Sequence, residues 1–544
     1  MVEIQFQQKV RELIDGLKAI CASYGLGNDG NEFKIITQSF LYKLLNDKFA
    51  YEAKKIDSRL TKVEKWEDFL SEMSDDDIEM LILQMPPNTA ILKPQHFINH
   101  LFGQQNEANF SSLFDDTLRD ISILNNEIFA VQTDGGTKIK LFDELSQFIN
   151  DTSQRDDFCK AIINQLVEFS FERIFEQKFD FYASIFEYLI KDYNTNSGGT
   201  YAEYYTPHAV ARIMADILIP KELQGKIKNV TCYDPAAGSG TLLMNVAHAI
   251  GETRCTIYAQ DISQKSSNLL RLNLILNNLV HSIPNVIKGN TIQHPYHKDG
   301  NELKKFDYIV SNPPFKLDFS DFRDALDTVA NKARFFAGIP KIKAKDKTKM
   351  EIYQLFIQHI LFSLKETGKA AIVLPTNFIS ANSGIDKKIR QYIVDNKLLA
   401  GVISMPSNIF ATTGTNVSIL FLDASNDRGI VLIDASNLGE QIKDGKNQKV
   451  YLTVEDENKI INNFTNKINE EYFSIVLNYD DLVKKNYSFS AGQYFTVTVK
   501  NEELSSEEFD EFITENTKNL KQLFDHSKEI EKEILSKMSE LRYE

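Results

Sequence analysis

From about residue 200 to residue 422 the chain alternates short apolar runs with longer stretches of helical periodicity, and this constrains the fold more than any other feature. The runs VTCYDP (230–235), CTIYAQD (255–261), KFDYIVSN (305–312), KAAIVLP (369–375) and LLAGVISM (398–405) are each bounded by Gly, Pro, Asn or Asp. Between them TLLMNVAHAI, SSNLLRLNLILNN and EIYQLFIQHILFSLK repeat apolar residues at three- and four-residue steps. Strand, helix, strand in that rhythm builds βαβ units and a parallel sheet, so the predicted fold is α/β. VSILFLD (417–423) follows LLAGVISM with no helix between them, which predicts a hairpin at the sheet edge.

The flanks read differently. Residues 1 to about 165 carry helical patterns in VRELIDGLKAI, FKIITQSFLYKLL, DDIEMLILQM and KLFDELSQFI, and no convincing strand. The last forty or so residues form a charged helical tail, in which Ser505 and Glu508 have capping-box spacing and Ile530, Ile534, Met538 and Leu541 share one stripe. At about 100 to 200 residues per domain the length implies several units, expected at 1–165, 166–480 and 481–544.

A net charge of −15 argues against a chain that grips nucleic acid unaided, since phosphate neutralisation needs a basic face. If nucleic acid is the substrate, the basic residues are concentrated locally or come from a partner. Cys21, Cys159, Cys232 and Cys255 form no CxxC pair and no ligand spacing with the histidines, so neither a disulfide framework nor a metal site is expected. The N-terminus alternates charged and apolar residues, unlike a signal peptide, and no apolar run is long enough to span a bilayer; a cytoplasmic location is expected.

Three segments carry chemistry. In YDPAAGSGTLL (233–243) a strand ends at Asp234, a turn containing Gly238 and Gly240 follows, and a helix opens near Thr241. Glycines there admit a ligand close to the backbone, although any tight strand-to-helix turn also favours them. In YAQDIS, Asp261 ends the next strand, where a carboxylate can accept from a ribose diol; it can equally cap the next helix. The ribose reading suits a nicotinamide cofactor or S-adenosylmethionine, because both carry adenosine. In VSNPPF (310–315) two prolines hold Asn312 at a strand's carboxyl end, or simply end the strand. Upstream, Thr206 and Pro207 predict an N-cap and first helical residue, and Tyr201, Tyr204 and Tyr205 before them either cover a cofactor or pack.

DPAAGSG, then AQD, then SNPPF resembles the amino-group DNA methyltransferases of the gamma type, in which (D/N/S)PP(F/Y/W) is the catalytic motif. The chain is more similar still to the modification subunits of type I restriction-modification enzymes, over nearly its whole length. The YTP element before DPAAGSG, the helical flanks and MPSNIFATTGTNVSILFL (405–422) carry that likeness.

The resemblance implies a Rossmann-like S-adenosylmethionine-dependent methyltransferase that modifies N6 of adenine in double-stranded DNA. It implies catalytic roles for Asn312, Pro313, Pro314 and Phe315. Glu203, Tyr204, Tyr205, Thr206 and Pro207 would lie at the cofactor's methionine end, Asp234, Gly238, Ser239, Gly240 and Thr241 around it, and Asp261 on the ribose. Asn290 stands where the family often has an aspartate near the cofactor adenine. The implied partners are a specificity subunit, a restriction subunit and a second copy of this chain, with the C-terminal tail on the specificity subunit. Lys341, Lys343 and Lys345, in a loop with seven Lys or Arg against one Asp, are candidate DNA-binding residues; a solvated surface loop is the alternative.

Other readings are a protein-glutamine or RNA amino-methyltransferase, which commonly has Tyr at the position of Phe315, and an assembly scaffold that binds cofactor without catalysis. A nicotinamide oxidoreductase fits less well, because the turn lacks the third glycine of GxGxxG.

Overall fold

The structure, a computed structural model, describes residues 2–27, 30–172, 206–410, 416–427, 429–444, 447–495 and 505–540, with residues 175 and 188. It divides into two units, Met1–Tyr494 and Phe495–Glu544.

In the first unit the alternation of strands and helices yields the expected α/β fold on a largely parallel sheet. Numbered in chain order, its strands are β1 (Val131–Thr133), β2 (Lys138–Ile139), β3 (Val230–Asp234), β4 (Cys255–Asp261), β5 (Val286–Lys288) and β6 (Phe306–Ser311). There follow β7 (Leu364–Pro375), β8 (Leu399–Ser404), β9 (Val417–Asp423), β10 (Ile430–Asp434) and β11 (Ser474–Leu477). The order across the sheet is β11-β10-β8-β9-β7-β6-β3-β4-β5-β1-β2. Six neighbours, from β7 through β6, β3, β4 and β5 to β1, run parallel. The apolar runs are nearly continuous because the middle strands are covered on both faces; Ile257, Ile309, Ile372, Val373 and Leu374 are buried.

The chain leaves β3 toward β4 and β5 in one direction, then returns to β6 on the other side of β3 and proceeds to β7. This reversal between β3 and β6 leaves a crevice at their carboxyl ends, the usual ligand position in an open α/β sheet. Everything that shapes the site descends from it.

The N-terminal region is mainly helical, with α1 (Val2–Ser23), α2 (Gly30–Ile56), α3 (Phe110–Leu124) and α4 (Arg155–Val167) sharing one hydrophobic core. Contrary to the expectation of no strands there, β1 and β2 extend the central sheet beyond β5. At three and two residues they are too short to show a period, although the DGG between them is a turn signal. KLFDELSQFI is also not an α-helix; only Leu145–Phe148 forms a 3-10 turn. Its backbone amides are taken by side chains instead: Phe142 N–H donates to Ser122 Oγ, Asp143 N–H to Gln38 Oε1 and Ser146 N–H to Asp115 Oδ1. The expected hairpin exists, since β8 pairs antiparallel with β9, but it is not at the edge. β9 sits between β7 and β8, and β10 and β11 lie beyond.

The N-terminal region is fixed to the sheet by a buried cation. Arg271, on α7 (Gln264–Leu276), donates from Nη1 to the carbonyl of Lys140 at 3.0 Å and from Nη2 to that of Leu141 at 3.2 Å. Burial pulls its pKa down to about 10, partly offset by Asp143, so it stays charged at neutral pH.

Among the described residues the second unit consists chiefly of one long helix, α9 (Ser506–Glu540), when α8 denotes Tyr353–Ser363 of the first. The predicted capping box forms, Ser505 Oγ accepting from the Glu508 amide while Glu508 Oε2 accepts from the Ser505 amide. Leu541, the last member of the expected stripe, is outside the described residues. Among the described residues no helix is long and apolar enough to cross a membrane.

Because Arg271→Ala leaves buried carbonyls without donors, it is expected to lower stability by about 3 kcal/mol, read by denaturant unfolding of the full chain. A change within about 0.5 kcal/mol would show that the clamp is dispensable.

Candidate active site

The carboxyl ends of β3, β4, β5 and β6 surround one cavity, and helix α5 (His208–Leu218) opens beside it. Of the residues singled out in the sequence, Thr206, Asp234, Gly238, Ser239, Thr241, Asp261, Asn290, Asn312 and Pro314 line it. They come from five separate stretches of chain, so the fold alone brings them together.

The glycine turn is held by the two acids. Asp234 Oδ1 accepts from the Ala236 amide at 2.9 Å and from Ser311 Oγ at 2.8 Å. Asp261 Oδ2 accepts from the Gly238 amide and Oδ1 from the Ser263 amide, each at 2.8 Å. Gly240 adopts φ 82° as the residue before α6 (Thr241–Ile250), and a Cβ there would collide with Leu270 of α7. Glycine at this position is therefore set by both the left-handed backbone and helix packing. Asp261 does not cap α7; that role falls to Ser263, whose hydroxyl accepts from the Ser266 amide. The carboxylate remains directed to the turn and the cavity.

Both acids are buried, and burial raises both pKa values against the pull of their hydrogen bonds. Asp234 is pushed up to about 7, with the neighbouring Asp261 charge adding to the effect of burial. A pair of buried carboxylates facing one cavity suits a ligand that is cationic at one end and offers hydroxyl donors at the other.

Asn312 follows β6. Its Nδ2 donates to Thr206 Oγ1 at 3.2 Å, which leaves Oδ1 as an acceptor without a partner among the described residues. Thr206 is thus not the N-cap of α5; Pro207 takes that position and His208 begins the helix. The hydroxyl expected to cap a helix orients the motif's amide instead. Pro313 is buried, and Phe315 is half-buried against the hydrophobic core rather than lining the cavity. Tyr201, Glu203, Tyr204 and Tyr205 lie outside the described residues.

Downstream of the motif a second small core, including Phe319, Phe335, Met350 and Ile352, organises the chain up to α8. Arg334 ties it to the β5 side of the cavity: its Nη1 and Nη2 donate to the carbonyls of Ile292 and Thr291 at 2.8 Å, and Nε donates to His359 Nδ1 at 3.0 Å. His359, kept neutral first by burial and then by Arg334, bonds Tyr233 Oη through Nε2 at 3.1 Å. Lys341, Lys343 and Lys345 are exposed and do not line the cavity; Lys343 pairs with Glu351.

Sequence reasoning missed Ile262, Gly289, Ile352 and Phe356 in the cavity wall. Ile262 carried a signal, as an apolar residue directly after Asp261; its side chain remains 61% exposed. Ile352 and Phe356 belong to an apolar stretch that reads as ordinary core. Among the described residues no three His, Cys, Asp or Glu side chains converge as a metal site.

Asp234 gives a pH test. The folded chain holds this proton between about pH 3.8 and about 7, where the unfolded chain has lost it, so the residue makes folding less favourable as pH rises through that window. Asp234→Asn removes the titration. Its Tm relative to wild type should rise from about pH 5 to about pH 8 in calorimetry of the ligand-free chain, and a flat difference would contradict a raised pKa.

Residues 177–503 match the N-6 DNA methylase family model, which is more than half of the chain. The chain is 29% identical over 393 residues to the type I restriction enzyme MpnII methylase subunit of Mycoplasma pneumoniae, covering 70% of this chain and 69% of that protein. It is 27% identical over 390 residues to the type I restriction enzyme MjaIX methylase subunit of Methanocaldococcus jannaschii, covering 69% and 65% respectively. Among solved structures, the type I restriction-modification methyltransferase subunit of Streptococcus thermophilus superposes with a TM-score of 0.71 at 20% identity, over 90% of this chain and 100% of that one. With this fold, this site and a family match that runs through the glycine turn and the NPPF loop, the chain belongs to the N-6 DNA methylase family.

Proposed function

We propose that the chain is the methylase subunit of a type I restriction-modification enzyme and transfers a methyl group from S-adenosylmethionine to N6 of adenine in DNA. The observation that carries the reading is Asn312, held through Nδ2 by Thr206 at the mouth of a cavity that also contains Asp234 and Asp261. The residues suit the cofactor: Asp261 has lone pairs left for a ribose diol, and Asp234, whose proton burial retains in the empty site, gives it up more readily beside a cationic group. S-adenosylmethionine, when bound, supplies an electrophilic methyl group on a sulfonium.

The acceptor is the harder partner. The lone pair of adenine N6 is delocalised into the ring, so the amine is a poor nucleophile. Asn312 Oδ1 and the Pro313 carbonyl accept its two hydrogens, which draws the lone pair out of conjugation and aims it along the line of displacement. Pro313 and Pro314 fix those acceptors. Phe315 lies outside the cavity lining with one side against the core, so only its exposed part is left to meet the base, which must leave the duplex to reach the site.

The protein partners and the DNA enter at the periphery. The acidic chain needs a partner to choose and hold its target; a separate specificity subunit does so, with the apolar stripe of α9 through Ile530, Ile534 and Met538 as its seat. A restriction subunit and a second methylase subunit complete the assembly. The division into an N-terminal region, a catalytic region from about residue 166 and a tail from about 481 follows these roles.

Asn312→Ala should bind S-adenosylhomocysteine as wild type does, assemble normally and lose about 100-fold or more of its methyl transfer to DNA. Retained transfer would remove Asn312 from catalysis, and a scaffold would show none in the wild type either. Neutralising Lys341, Lys343 and Lys345 together should flatten the dependence of log K on log salt for DNA binding by the assembled enzyme, by up to about 0.9 for each phosphate no longer neutralised. An unchanged slope would make the loop a solvated surface.

A further inference from the structure

The parallel ladder continues past the catalytic region into the N-terminal one, and its last member ends at the same rim. The Gly289 amide donates to the Asp261 carbonyl at 2.8 Å, and the Asp134 amide donates to the Lys288 carbonyl at 3.0 Å. Asp261, Gly289 and Asp134 thus stand side by side at the carboxyl ends of β4, β5 and β1. Gly289 lines the cavity, and the Asp134 side chain lies directly against it: a Cβ on Gly289 would come within 2.6 Å of Cβ, Cγ and Oδ2 of Asp134.

Asn290 is placed by resemblance beside the cofactor adenine, yet its oxygen is committed elsewhere. Oδ1 accepts from the amides of Ile292 and Gln293, each at 3.1 Å, and so caps its own turn. What Asn290 has left is an amide donor, the wrong polarity for an exocyclic amine. The Asp134 carboxylate accepts no hydrogen bond among the described residues and supplies the polarity that Asn290 lacks.

We propose that Asp134, contributed by the N-terminal region, accepts the exocyclic amine of the cofactor's adenine. This rests on the cofactor reading above. Asp261 and Asp134 are two strand spacings apart, about 9.6 Å, a reach that an adenosine covers from its ribose hydroxyls to its amine. The hairpin carrying Asp134 is fixed in place from both sides. Tyr296 Oη donates to Gln132 Oε1 at 3.2 Å, and Arg271 holds the carbonyls just after β2. Cofactor recognition and the docking of the N-terminal region on the sheet are in consequence one structural event.

The test is calorimetric titration of the full chain with S-adenosylhomocysteine and with S-inosylhomocysteine, in which a carbonyl replaces the amine. Wild type should prefer the adenosyl ligand by about tenfold or more, as expected for a hydrogen bond to a charged acceptor. Asp134→Asn, whose amide can donate to the carbonyl, should erase or invert that preference while still binding. Gly289→Ala, which pushes the carboxylate aside without removing it, should weaken the preference as well. An Asp134→Asn chain that keeps the wild-type preference overturns the proposal while leaving the cofactor reading intact. A wild-type chain that binds neither ligand overturns the cofactor reading and this inference together.

Discussion

The pairing of β3 with β6 is the constraint on which the rest depends. Cys232 aligns with Tyr308 and Tyr233 with Ile309, and the ladder ends in the hydrogen bond from Ser311 Oγ to Asp234 Oδ1. That bond joins the last residue of one strand to the last residue of the other. The glycine turn after Asp234 and the proline-fixed loop after Ser311 are thereby held at a set separation, although they are far apart in sequence. Because the chain departs from these strands in opposite directions, a crevice opens between the two loops. A reaction that depends on placing an electrophile in line with a nucleophile needs such fixed geometry more than it needs an acid or a base.

The acids that shape the site carry two loads. Asp261 accepts the Gly238 amide and so forms the turn, and its carboxylate also faces the cavity. Asp234 receives Ser311 and the Ala236 amide and is held near its own protonation point by burial. Ligand-binding groups that also hold the local backbone are preorganised, since their orientation is settled before the ligand arrives. Thr206 extends the pattern to the NPPF loop by turning the Asn312 amide.

The parts of this arrangement legible in the sequence are those with strong local signals. VTCYDP, CTIYAQD and KFDYIVSN each end an apolar run on an acid or amide, which gives both strand and site residue at once. The parts that are not legible depend on distant partners. Thr206 looks like a helix cap because Pro follows it, and only the arrival of Asn312 gives its hydroxyl another role. KLFDELSQFI has a helical pattern, but Ser122, Gln38 and Asp115 capture its amides. The strand Val131–Thr133 is too short to have a period, and its place beside β5 is fixed by pairing with a segment more than 150 residues away.

The N-terminal region belongs to the central sheet through β1, β2 and Arg271, so the rim of the cavity at Gly289 is braced from a part of the chain with no motif of its own. The measurement that tests the central claim most directly is transfer of tritiated methyl from S-adenosylmethionine to DNA, with this chain alone and with a specificity subunit added. Label recovered as N6-methyladenine only from the mixture is the predicted result. Label on cytosine, on RNA or on protein, or no label despite bound cofactor, would contradict it.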